Sequence, residues 1–374
     1  MCSAPRHVTT TTVEPTSGTP STIRAVPELV VIAEQLLAPV PGGTGRYTAE
    51  LLRALAAAAP SGWEVSSVVA RHADVSAAQV EGVAGPRRLA LPPRALVAAW
   101  QAGLPYWPGG DAVHAPTPLA PPRGRVSVTV HDTVPWTHPE TLTPRGVSWH
   151  RTMIDRAARR AAGLVVPTRA VAADLEQWVR VTAPVRVAGH GVTAALGSGT
   201  STLDLPDRYV LAVGTIEPRK GIDVLIEAMG ELDVPLVLAG QPGWGGLDPV
   251  SLAGDRADVR VLGRLSDADL GTVLRRATVL AAPSLAEGFG LPVLEAMAAG
   301  VPVVHSDAPA LVEVAGGAGR CVPRGDAKAL ATVLRKVLGS PECAAELAGA
   351  GRARAADFSW RIAAEAVWNI HLVR

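Results

Sequence analysis

Two glutamates with seven residues between them mark the part of the sequence best suited to chemistry. Glu287 stands in the small-residue loop Ser-Leu-Ala-Glu-Gly-Phe-Gly, and Glu295 lies inside a predicted helix that Pro292 opens. Proline suits a first helical turn because the N–H that it lacks has no intrahelical partner there. The free amides of such a turn attract anions, and the glycines before it let the backbone approach a ligand closely. The pattern predicts amides that hold a nucleotide diphosphate carrying a sugar, with one carboxylate on each side.

Arg219 and Lys220 are the cations best placed to complete such a site. Breaking a sugar–phosphate bond leaves negative charge on the departing diphosphate, so positive charge or aligned amides must lie where that charge develops. The pair follows a predicted strand ending at Gly214, in a loop turned by Pro218, and the chain has only three lysines. Adjacent Arg and Lys are usually solvated surface groups, and the residues alone leave that alternative open.

Two segments of the first half of the chain also carry candidate residues. His131 follows an apolar strand and precedes Asp132, although a lone histidine there is more often a hydrogen-bonded core residue and the aspartate could cap the next turn. Gly43, Thr44 and Gly45 form a glycine-rich loop without the G-x-G-x-x-G spacing of dinucleotide sites. Such a loop could approach donor phosphates or an acceptor, and a tight turn with no ligand is the alternative.

Composition excludes several classes of protein. The 374 residues suffice for two domains, and a net charge of +1 with a pI of about 7.9 gives no field for nucleic acid. Three scattered cysteines form neither a disulfide framework nor a thiolate zinc site, which favours a reducing cytoplasm. The polar segment 1–25 lacks the apolar core of a signal peptide and predicts a disordered tail. Since no apolar run reaches membrane-spanning length, we expect a soluble or at most peripheral protein.

Short apolar runs alternate with helical patterns along the chain, which predicts parallel sheets covered on both faces. We expect a helix from Tyr47 to Ala59 after the glycine loop, another from Arg151 to Ala162, and a last one from Arg352 to His371. A Gly-, Ser- and Thr-rich stretch separates two such α/β halves, so a ligand site is expected in the cleft between them, beyond the carboxyl ends of the strands.

These segments, in this order, resemble the large retaining glycosyltransferase family 4 of the GT-B fold, whose members move a sugar from an activated nucleotide donor. Glu287 and Glu295 match its E-x7-E signature, and His131 with Asp132 looks like its first-domain histidine motif. Residues 42–47 look like its glycine-rich loop. Residues 214–220 look like its phosphate-clamping segment, although many relatives have an arginine where this chain has Thr215. The resemblance covers most of the chain from about Leu29 to Val304.

The resemblance implies a fold and its boundaries: α/β, GT-B, two Rossmann-like doubly wound domains facing a central cleft. The expected parts are a disordered tail at 1–25, an N-terminal acceptor-side domain at 26–195, a linker at 196–206, a C-terminal donor domain at 207–350 and a terminal helix at 351–374. In the family that helix crosses back to the first domain, while packing on its own domain is equally compatible with the sequence.

The resemblance also implies roles. Glu295 is expected to hold ribose hydroxyls, Glu287 to contact the transferred sugar, and His131 to act on the sugar or diphosphate as a hydrogen-bond donor more than as a base. The remaining expected donor-binding residues are Gly43, Thr44, Gly45, Arg219, Lys220, Gly288, Phe289, Gly290 and Leu291. Without the resemblance, the alternatives are an exposed loop carboxylate for Glu287 and a helix-dipole partner for Glu295. The second alone could explain Glu295, whereas Glu287 lies in a small-residue loop where no helix needs it.

No metal site is expected. Asp267 and Asp269 have the D-x-D spacing of metal motifs in the other major glycosyltransferase architecture, but Ser266 reads as an N-cap that places both acids in a first helical turn, where the helix dipole favours them. We therefore expect a metal-independent enzyme with no cofactor, whose nucleotide diphosphate sugar is a co-substrate.

The sequence thus predicts a retaining transferase that moves a hexose, mannose from GDP-mannose as the best guess, to a hydroxyl acceptor. The Glu-Pro-Arg-Lys clamp looks like that of mannosyl- and rhamnosyltransferases. A nucleotide-sugar epimerase or hydrolase of the same fold, or an inactive homologue acting as a binding subunit, are the alternatives. The acceptor could be a glycan, lipid-linked or a small molecule, and an arginine cluster at 151–160 could touch an anionic membrane or be an ordinary solvated helix face.

Overall fold

The protein contains two parallel sheets with helices on both faces. The computed structural model describes residues 26–197 and 202–372. The predicted tail at 1–25 and part of the predicted linker lie outside the described residues.

The first half of the chain forms a sheet of seven strands. Its strands are β1 (Glu28–Ile32), β2 (Glu64–Val69), β3 (Ala84–Arg88), β4 (Ala112–Ala115), β5 (Val126–Thr129), β6 (Gly163–Val166) and β7 (Val185–Val187). Its helices are α1 (Gly42–Ala57), α2 (Pro93–Gln101), α3 (Val134–Thr137), α4 (Pro144–Arg160) and α5 (Arg169–Trp178). The strand order is β3-β2-β1-β4-β5-β6-β7, and every neighbouring pair is parallel.

The second half repeats this organisation with six strands. They are β8 (Val210–Val213), β9 (Leu236–Ala239), β10 (Val259–Gly263), β11 (Val279–Ala282), β12 (Val303–Ser306) and β13 (Arg320–Val322). The helices are α6 (Ile222–Met229), α7 (Pro249–Ala253), α8 (Asp267–Arg276), α9 (Leu291–Ala298), α10 (Pro309–Ala315), α11 (Ala327–Gly339), α12 (Pro341–Ala355) and α13 (Trp360–Leu372). The order is β10-β9-β8-β11-β12-β13, again all parallel.

Strand order reverses once in each sheet, between β1 and β4 and between β8 and β11. Open α/β sheets bind ligands at this switch point, beyond the carboxyl ends of the strands. The segments that follow β1, β5, β8 and β11 carry the glycine motif, His131, the Arg219–Lys220 pair and Glu287. The prediction of two doubly wound α/β units is therefore confirmed.

Alternating side chains of β1 show how each sheet obtains two cores. Val30 and Ile32 pack into the cluster with α2 and α4, whereas Leu29 and Val31 pack into the cluster with α1 and α13. All four are at most 3% exposed, as expected for a strand covered on both faces.

The C-terminal segment crosses from the second half to the first. The predicted single helix from Arg352 to His371 is wrong, because α12 ends at Ala355 and α13 begins at Trp360. The helix α13 then packs on α1 and the first sheet. Its Trp368 is 2% exposed and donates an Nε1–H to the Leu55 carbonyl oxygen at 3.2 Å, so the crossing is anchored in a core.

Two predicted helices begin earlier than the sequence pattern indicates. The helix α1 starts at Gly42 rather than Tyr47, so the predicted glycine loop is its first turn. The helix α4 starts at Pro144 rather than Arg151, because the Thr143 side chain caps it by accepting from the amide of Gly146.

The arginine cluster of α4 is partly engaged within the fold. Arg156 donates to the carbonyl oxygens of Trp100 and Gln101, and Arg151 donates to the Pro135 carbonyl oxygen at 2.9 Å. These bonds tie α4 to its neighbours, which favours a structural use of the two arginines. Within residues 26–197 and 202–372, no helix is long and apolar enough to cross a bilayer.

Candidate functional site

The loop between β11 and α9 forms the centre of the candidate site. Gly290 has a φ of +92°, a conformation that favours glycine, and this turn starts α9 at Leu291 with Pro292 in its first turn. Glu295 then lies about one turn inside the helix, as the sequence predicts. Glu287 stands in the loop before the helix start and Glu295 inside the helix, and the two carboxylates have different partners.

Glu287 is held by a cation and a hydroxyl. Lys220 Nζ lies 2.5 Å from its Oε1, and Ser284 Oγ donates to the same oxygen at 2.8 Å. Burial alone raises the pKa of Glu287, but nearby Lys220 and Arg219 outweigh burial and hold that pKa below its ordinary value. Glu287 is therefore an ionised acceptor that can bind hydroxyl groups.

Arg219 ties the two loops of the second half together. Its guanidinium donates to the Ala286 carbonyl oxygen at 2.9 Å and to Glu217 at 2.5 Å, and its own carbonyl oxygen accepts from the Leu285 amide at 2.8 Å. Its Nε–H is buried with no hydrogen-bond partner in the described part of the chain. The two residues of the predicted pair thus have different contacts. Lys220 contacts Glu287, whereas Arg219 mainly bonds the backbone of the loop that carries Glu287.

A small cavity connects these loops. It measures about 20 Å³ and lies beyond the ends of β8 and β11. Its polar and loop lining includes Gly214, Thr215, Lys220, Ser284, Glu287 and Gly290. The clamp segment and the first glutamate of the E-x7-E pair therefore line one space, although they are 67 residues apart in sequence.

Glu295 is bound from the other half of the molecule. Its side chain is 1% exposed, and its Oε1 accepts from Arg46 Nη1 at 2.7 Å. Arg46 also contacts Asp267 through Nη2 at 2.6 Å. Glu295 Oε2 is buried without a hydrogen-bond partner among the described residues. Burial raises the pKa of Glu295 above its ordinary value, and Arg46 offsets only part of that shift.

The first turn of α1 faces the first turn of α9. A Cβ atom added to Gly43 would lie 3.7 Å from Leu291 Cδ1, and a Cβ on Gly45 would clash with Pro41 at 2.3 Å. No side chain caps the start of α1. The sequence-predicted residues Gly43, Thr44 and Gly45 thus bring uncapped backbone to the same cleft, as a helix start rather than as a loop.

His131 lies at a close approach between the two halves. A Cβ on Gly288 would lie 1.8 Å from the His131 carbonyl oxygen, so only glycine fits at that position. The ring of His131 meets Tyr47 edge-on with centroids 4.7 Å apart. His131 Nε2 contacts the Pro116 carbonyl oxygen at 2.8 Å and must therefore carry the proton, because a carbonyl oxygen only accepts.

That proton assignment conflicts with the role expected for His131. Burial lowers the pKa of His131, so the ring is neutral and its Nδ1 is an acceptor. A neutral His131 that donates to Pro116 cannot also donate from Nδ1 to a ligand. In this structure Nδ1 is therefore an acceptor, and the donor role of His131 toward a ligand stays a prediction.

The side chain of Phe289 packs between the two halves. It is 4% exposed and contacts His190 at 4.4 Å and Phe358 at 5.6 Å between ring centroids. The carbonyl oxygen of the preceding Gly288 accepts from Thr168 Oγ1 at 3.1 Å. The loop predicted to hold phosphate is therefore fixed in part by contacts with His190 and Thr168 of the first half.

Sequence reasoning missed the residues that join the two halves. Arg46 lies within the glycine motif but is not among the predicted site residues, and neither is Thr168, which bonds the Gly288 carbonyl oxygen. Glu313 accepts from the amides of Arg169 and Ala170 at 2.9 and 3.0 Å, across the halves. The glycine motif could have directed attention to Arg46, whereas nothing in the sequence connects Glu313 to its partners.

The two aspartates of the D-x-D spacing behave as the sequence predicts for a helix start. Ser266 caps α8 by accepting from the Asp269 amide at 3.1 Å. Asp267 is engaged with Arg46. Across residues 26–197 and 202–372, no three His, Cys, Asp or Glu side chains are grouped so that they could hold a metal ion.

Comparisons with known proteins agree with this geometry. The family described as "Glycosyltransferase Family 4" matches residues 41–196, and "Glycosyl transferases group 1" matches residues 199–354. The O-antigen chain mannosyltransferase B of Escherichia coli is 38% identical over 161 residues, which are 41% of this chain and 42% of that protein. The MMP alpha-(1->4)-mannosyltransferase of Mycolicibacterium hassiacum is 36% identical over 170 residues, 42% of this chain and 41% of the relative. These matches span about two fifths of each relative.

A solved structure extends the likeness to the whole fold. Anabaena HepE in complex with UDP-glucose superposes with a TM-score of 0.69 at 19% identity, over 93% of this chain and all of that one. At that identity the likeness concerns the fold alone. The two family matches follow one another along the chain, and they agree with this fold. This chain therefore belongs to the GT-B glycosyltransferases, with a family 4 domain followed by a group 1 domain.

Proposed function

We propose that this protein transfers a hexose from a nucleotide diphosphate sugar to a hydroxyl acceptor, with mannose from GDP-mannose as the leading donor. The observation that carries the proposal is the contact of Lys220 with Glu287 beside the first turn of α9. It puts a cation, a carboxylate and free helix amides within one small region. A sugar diphosphate needs these three kinds of group.

The chemistry of each group follows from its position. Negative charge develops on the diphosphate as the sugar leaves, and a fixed ammonium with aligned amides stabilises that charge without reorganising. Lys220 is already held by Glu287, so its position is set before the donor arrives. Glu287, kept ionised by Lys220 and Arg219, accepts hydrogen bonds from hydroxyls of the transferred sugar. Glu295 accepts from the ribose hydroxyls.

Retention of configuration by front-side attack is part of the proposal. In that reaction the departing phosphate helps to take the acceptor proton, and the enzyme supplies positioning and charge stabilisation. The acceptor side is formed by the first half, near His131, whose Nδ1 can accept from an acceptor hydroxyl. Metal independence is proposed because Asp267 is paired with Arg46 and Ser266 is bonded to Asp269.

The donor assignment draws on the relatives. Two curated relatives are named as mannosyltransferases, and the Glu217-Pro218-Arg219-Lys220 segment looks like the clamp of such enzymes. HepE binds UDP-glucose, so UDP-glucose is the competing donor. The acceptor is proposed only as a hydroxyl of a glycan, a lipid-linked sugar or a small molecule.

Thermal unfolding with GDP, UDP, dTDP and ADP tests the donor site, because a ligand that binds only the folded state raises its stability by mass action. At 100 times the Kd the gain is about 2.7 kcal/mol. We expect GDP to give the largest shift. No shift with any of the four would contradict the donor site.

Product analysis then tests the reaction class. The protein is incubated with GDP-mannose and a panel of hydroxyl acceptors, with and without EDTA, and the anomeric configuration of the product is read by NMR. A transferase gives an acceptor-dependent α-linked product in EDTA. Release of free mannose at the same rate with and without acceptor indicates a hydrolase. A changed sugar that is still bound to the nucleotide indicates an epimerase. GDP binding without any turnover indicates an inactive homologue.

A further inference from the structure

We propose that Arg46 is a positioning residue of the donor site: from the first half of the molecule, it orients Glu295 of the second half so that one carboxylate oxygen faces the ribose. This inference rests on the proposed function, since it assigns the way in which Glu295 binds the nucleotide. It extends the E-x7-E motif to a residue in the other domain.

The first step of the argument is the geometry of the guanidinium. Arg46 uses its two terminal nitrogens on two carboxylates, Glu295 at 2.7 Å and Asp267 at 2.6 Å. The planar fork of an arginine fixes both contacts at once, so neither carboxylate can rotate freely. Asp267 sits in the first turn of α8 and anchors the guanidinium from the second half as well.

The second step is the state of Glu295. Only Oε1 is taken by Arg46, and Oε2 is buried without a partner in residues 26–197 and 202–372, on a side chain that is 1% exposed. A buried carboxylate oxygen without a hydrogen bond is costly. A hydroxyl donor from a ligand removes that cost, and the ribose is the part of the donor that offers such hydroxyls.

The third step is the place of Arg46 in the fold. It lies about one turn inside α1, next to Tyr47, whose ring contacts His131. One helix start thus reaches both the ribose side and the sugar side of the cleft. Because Arg46 reaches Glu295 only when the two halves are together, full orientation of the ribose requires the closed arrangement.

Affinities for GDP and for 2′,3′-dideoxy-GDP, measured by calorimetry, test this role. For the wild type we expect the dideoxy form to bind about 10- to 100-fold more weakly, since a hydrogen bond to a charged group is lost. The ratio of the Kd for 2′,3′-dideoxy-GDP to the Kd for GDP should fall to about threefold or less in Arg46→Met, because the Glu295 carboxylate is no longer oriented. Arg46→Lys, which keeps the charge but not the fork, should lie between the two.

A matched control separates orientation from domain contact. Glu313→Gln weakens a different contact between the halves, at the amides of Arg169 and Ala170, away from Glu295. It should weaken both nucleotides equally and leave the ratio at the wild-type value. Melting without nucleotide checks that each variant is folded. If Arg46→Met does not fold, Asp267→Asn replaces it and should lower the ratio less.

The outcomes are distinct. If wild-type protein binds GDP and the ratio is unchanged in Arg46→Met, Arg46 does not position Glu295. If Arg46→Met binds GDP more tightly, Arg46 blocks the ribose instead, which also overturns the inference. If no nucleotide of the thermal screen binds the wild type, the proposed function itself fails. Should UDP bind in place of GDP, the same ratio is measured with UDP and 2′,3′-dideoxy-UDP.

Discussion

Lys220 Nζ and Glu287 Oε1 lie 2.5 Å apart, although one follows β8 and the other follows β11. The strands β8 and β11 are neighbours at the switch point of the second sheet, so the loops that follow them open into the same space. Both side chains are mostly buried, at 18% and 13% exposure. The pair is therefore held in one geometry, and Lys220 helps to hold the pKa of Glu287 below its ordinary value.

Loss of the Lys220 charge should slow the chemical step. In Lys220→Met we expect kcat for sugar transfer to fall by about 10²-fold or more, because the charge that develops on the diphosphate loses its cation. Lys220→Arg should keep part of the rate, and Lys336→Met, at an exposed lysine of α11, serves as the matched control. Steady-state kinetics with the donor found in the thermal screen gives the values. A kcat for Lys220→Met within a few-fold of the control would refute this role.

The two glutamates should affect different kinetic parameters. Glu295→Gln removes the charged acceptor that we propose for the ribose, so we expect Kd for the nucleotide to rise about 10- to 100-fold. Glu287→Gln should leave nucleotide binding nearly unchanged and lower kcat, since the contact proposed for Glu287 is to the transferred sugar. Calorimetry with GDP and single-turnover kinetics separate the two effects. Equal losses of binding in both variants would show that the roles are not divided.

The same two variants should respond to pH with opposite sign. The pKa of Glu287 is lowered in the folded state, so this carboxylate contributes stability above its unfolded pKa and loses it as pH falls through the folded value. The pKa of Glu295 is raised, so the folded state binds a proton more readily and stability declines as pH rises through the window between the unfolded and folded values.

Unfolding in urea from pH 4 to pH 8 measures this difference. Glu287→Gln should be less stable than the wild type at pH 7, and the gap should narrow toward pH 4. As pH rises above about 4.5, the wild type should lose stability relative to Glu295→Gln, because Glu295 must ionise in a buried position and glutamine does not ionise. If the stability difference from the wild type changed with pH in the same direction for both variants, the pKa shift assigned to one of the two glutamates would be wrong.

Much of the site could be predicted from the sequence because its motifs are local. Gly290 and Pro292 fix the turn and helix start that present Glu295, and a strand end followed by Pro218 fixes the loop of Lys220. These are rules of backbone conformation that act within a few residues. The fold could be predicted for the same reason, since apolar runs that alternate with helical patterns allow few other arrangements.

What could not be predicted depends on contacts across the chain. Arg46 contacts Glu295, which is 249 residues away in sequence, and the Nε2–H of His131 is bonded to the Pro116 carbonyl oxygen, 15 residues away, so the donor role expected of His131 stays a prediction. The start of α1 at Gly42 was missed because glycines usually oppose helix. Packing of this turn against α9 outweighs that propensity.

Close approach of the two halves makes Gly288 sensitive to a single methyl group. A Cβ at this position would lie 1.8 Å from the His131 carbonyl oxygen, which is backbone and cannot rotate away. In Gly288→Ala we expect about 1–3 kcal/mol of destabilisation and a loss of turnover as the loop shifts. Gly43→Ala, whose Cβ would make an ordinary contact at 3.7 Å with Leu291, is the control and should melt near the wild type. Thermal unfolding and kcat are the measurements, and a Gly288→Ala protein indistinguishable from Gly43→Ala would contradict the close approach.

The crossing helix α13 should stabilise the first half through Trp368. This side chain is 2% exposed, packs against Trp63 at 5.5 Å and bonds the Leu55 carbonyl oxygen, so Trp368→Ala leaves a cavity and an unpaired acceptor in the core formed with α1. We expect a loss of about 3–5 kcal/mol in the free energy of unfolding. Trp178→Ala, at a tryptophan that is 46% exposed, is the matched control and should cost far less. Because α1 also carries Arg46, Trp368→Ala should weaken nucleotide binding as well. Denaturant unfolding measures the loss of stability, and calorimetry measures the loss of nucleotide affinity. A Trp368→Ala protein as stable as Trp178→Ala would mean that α13 is only loosely attached to the first half.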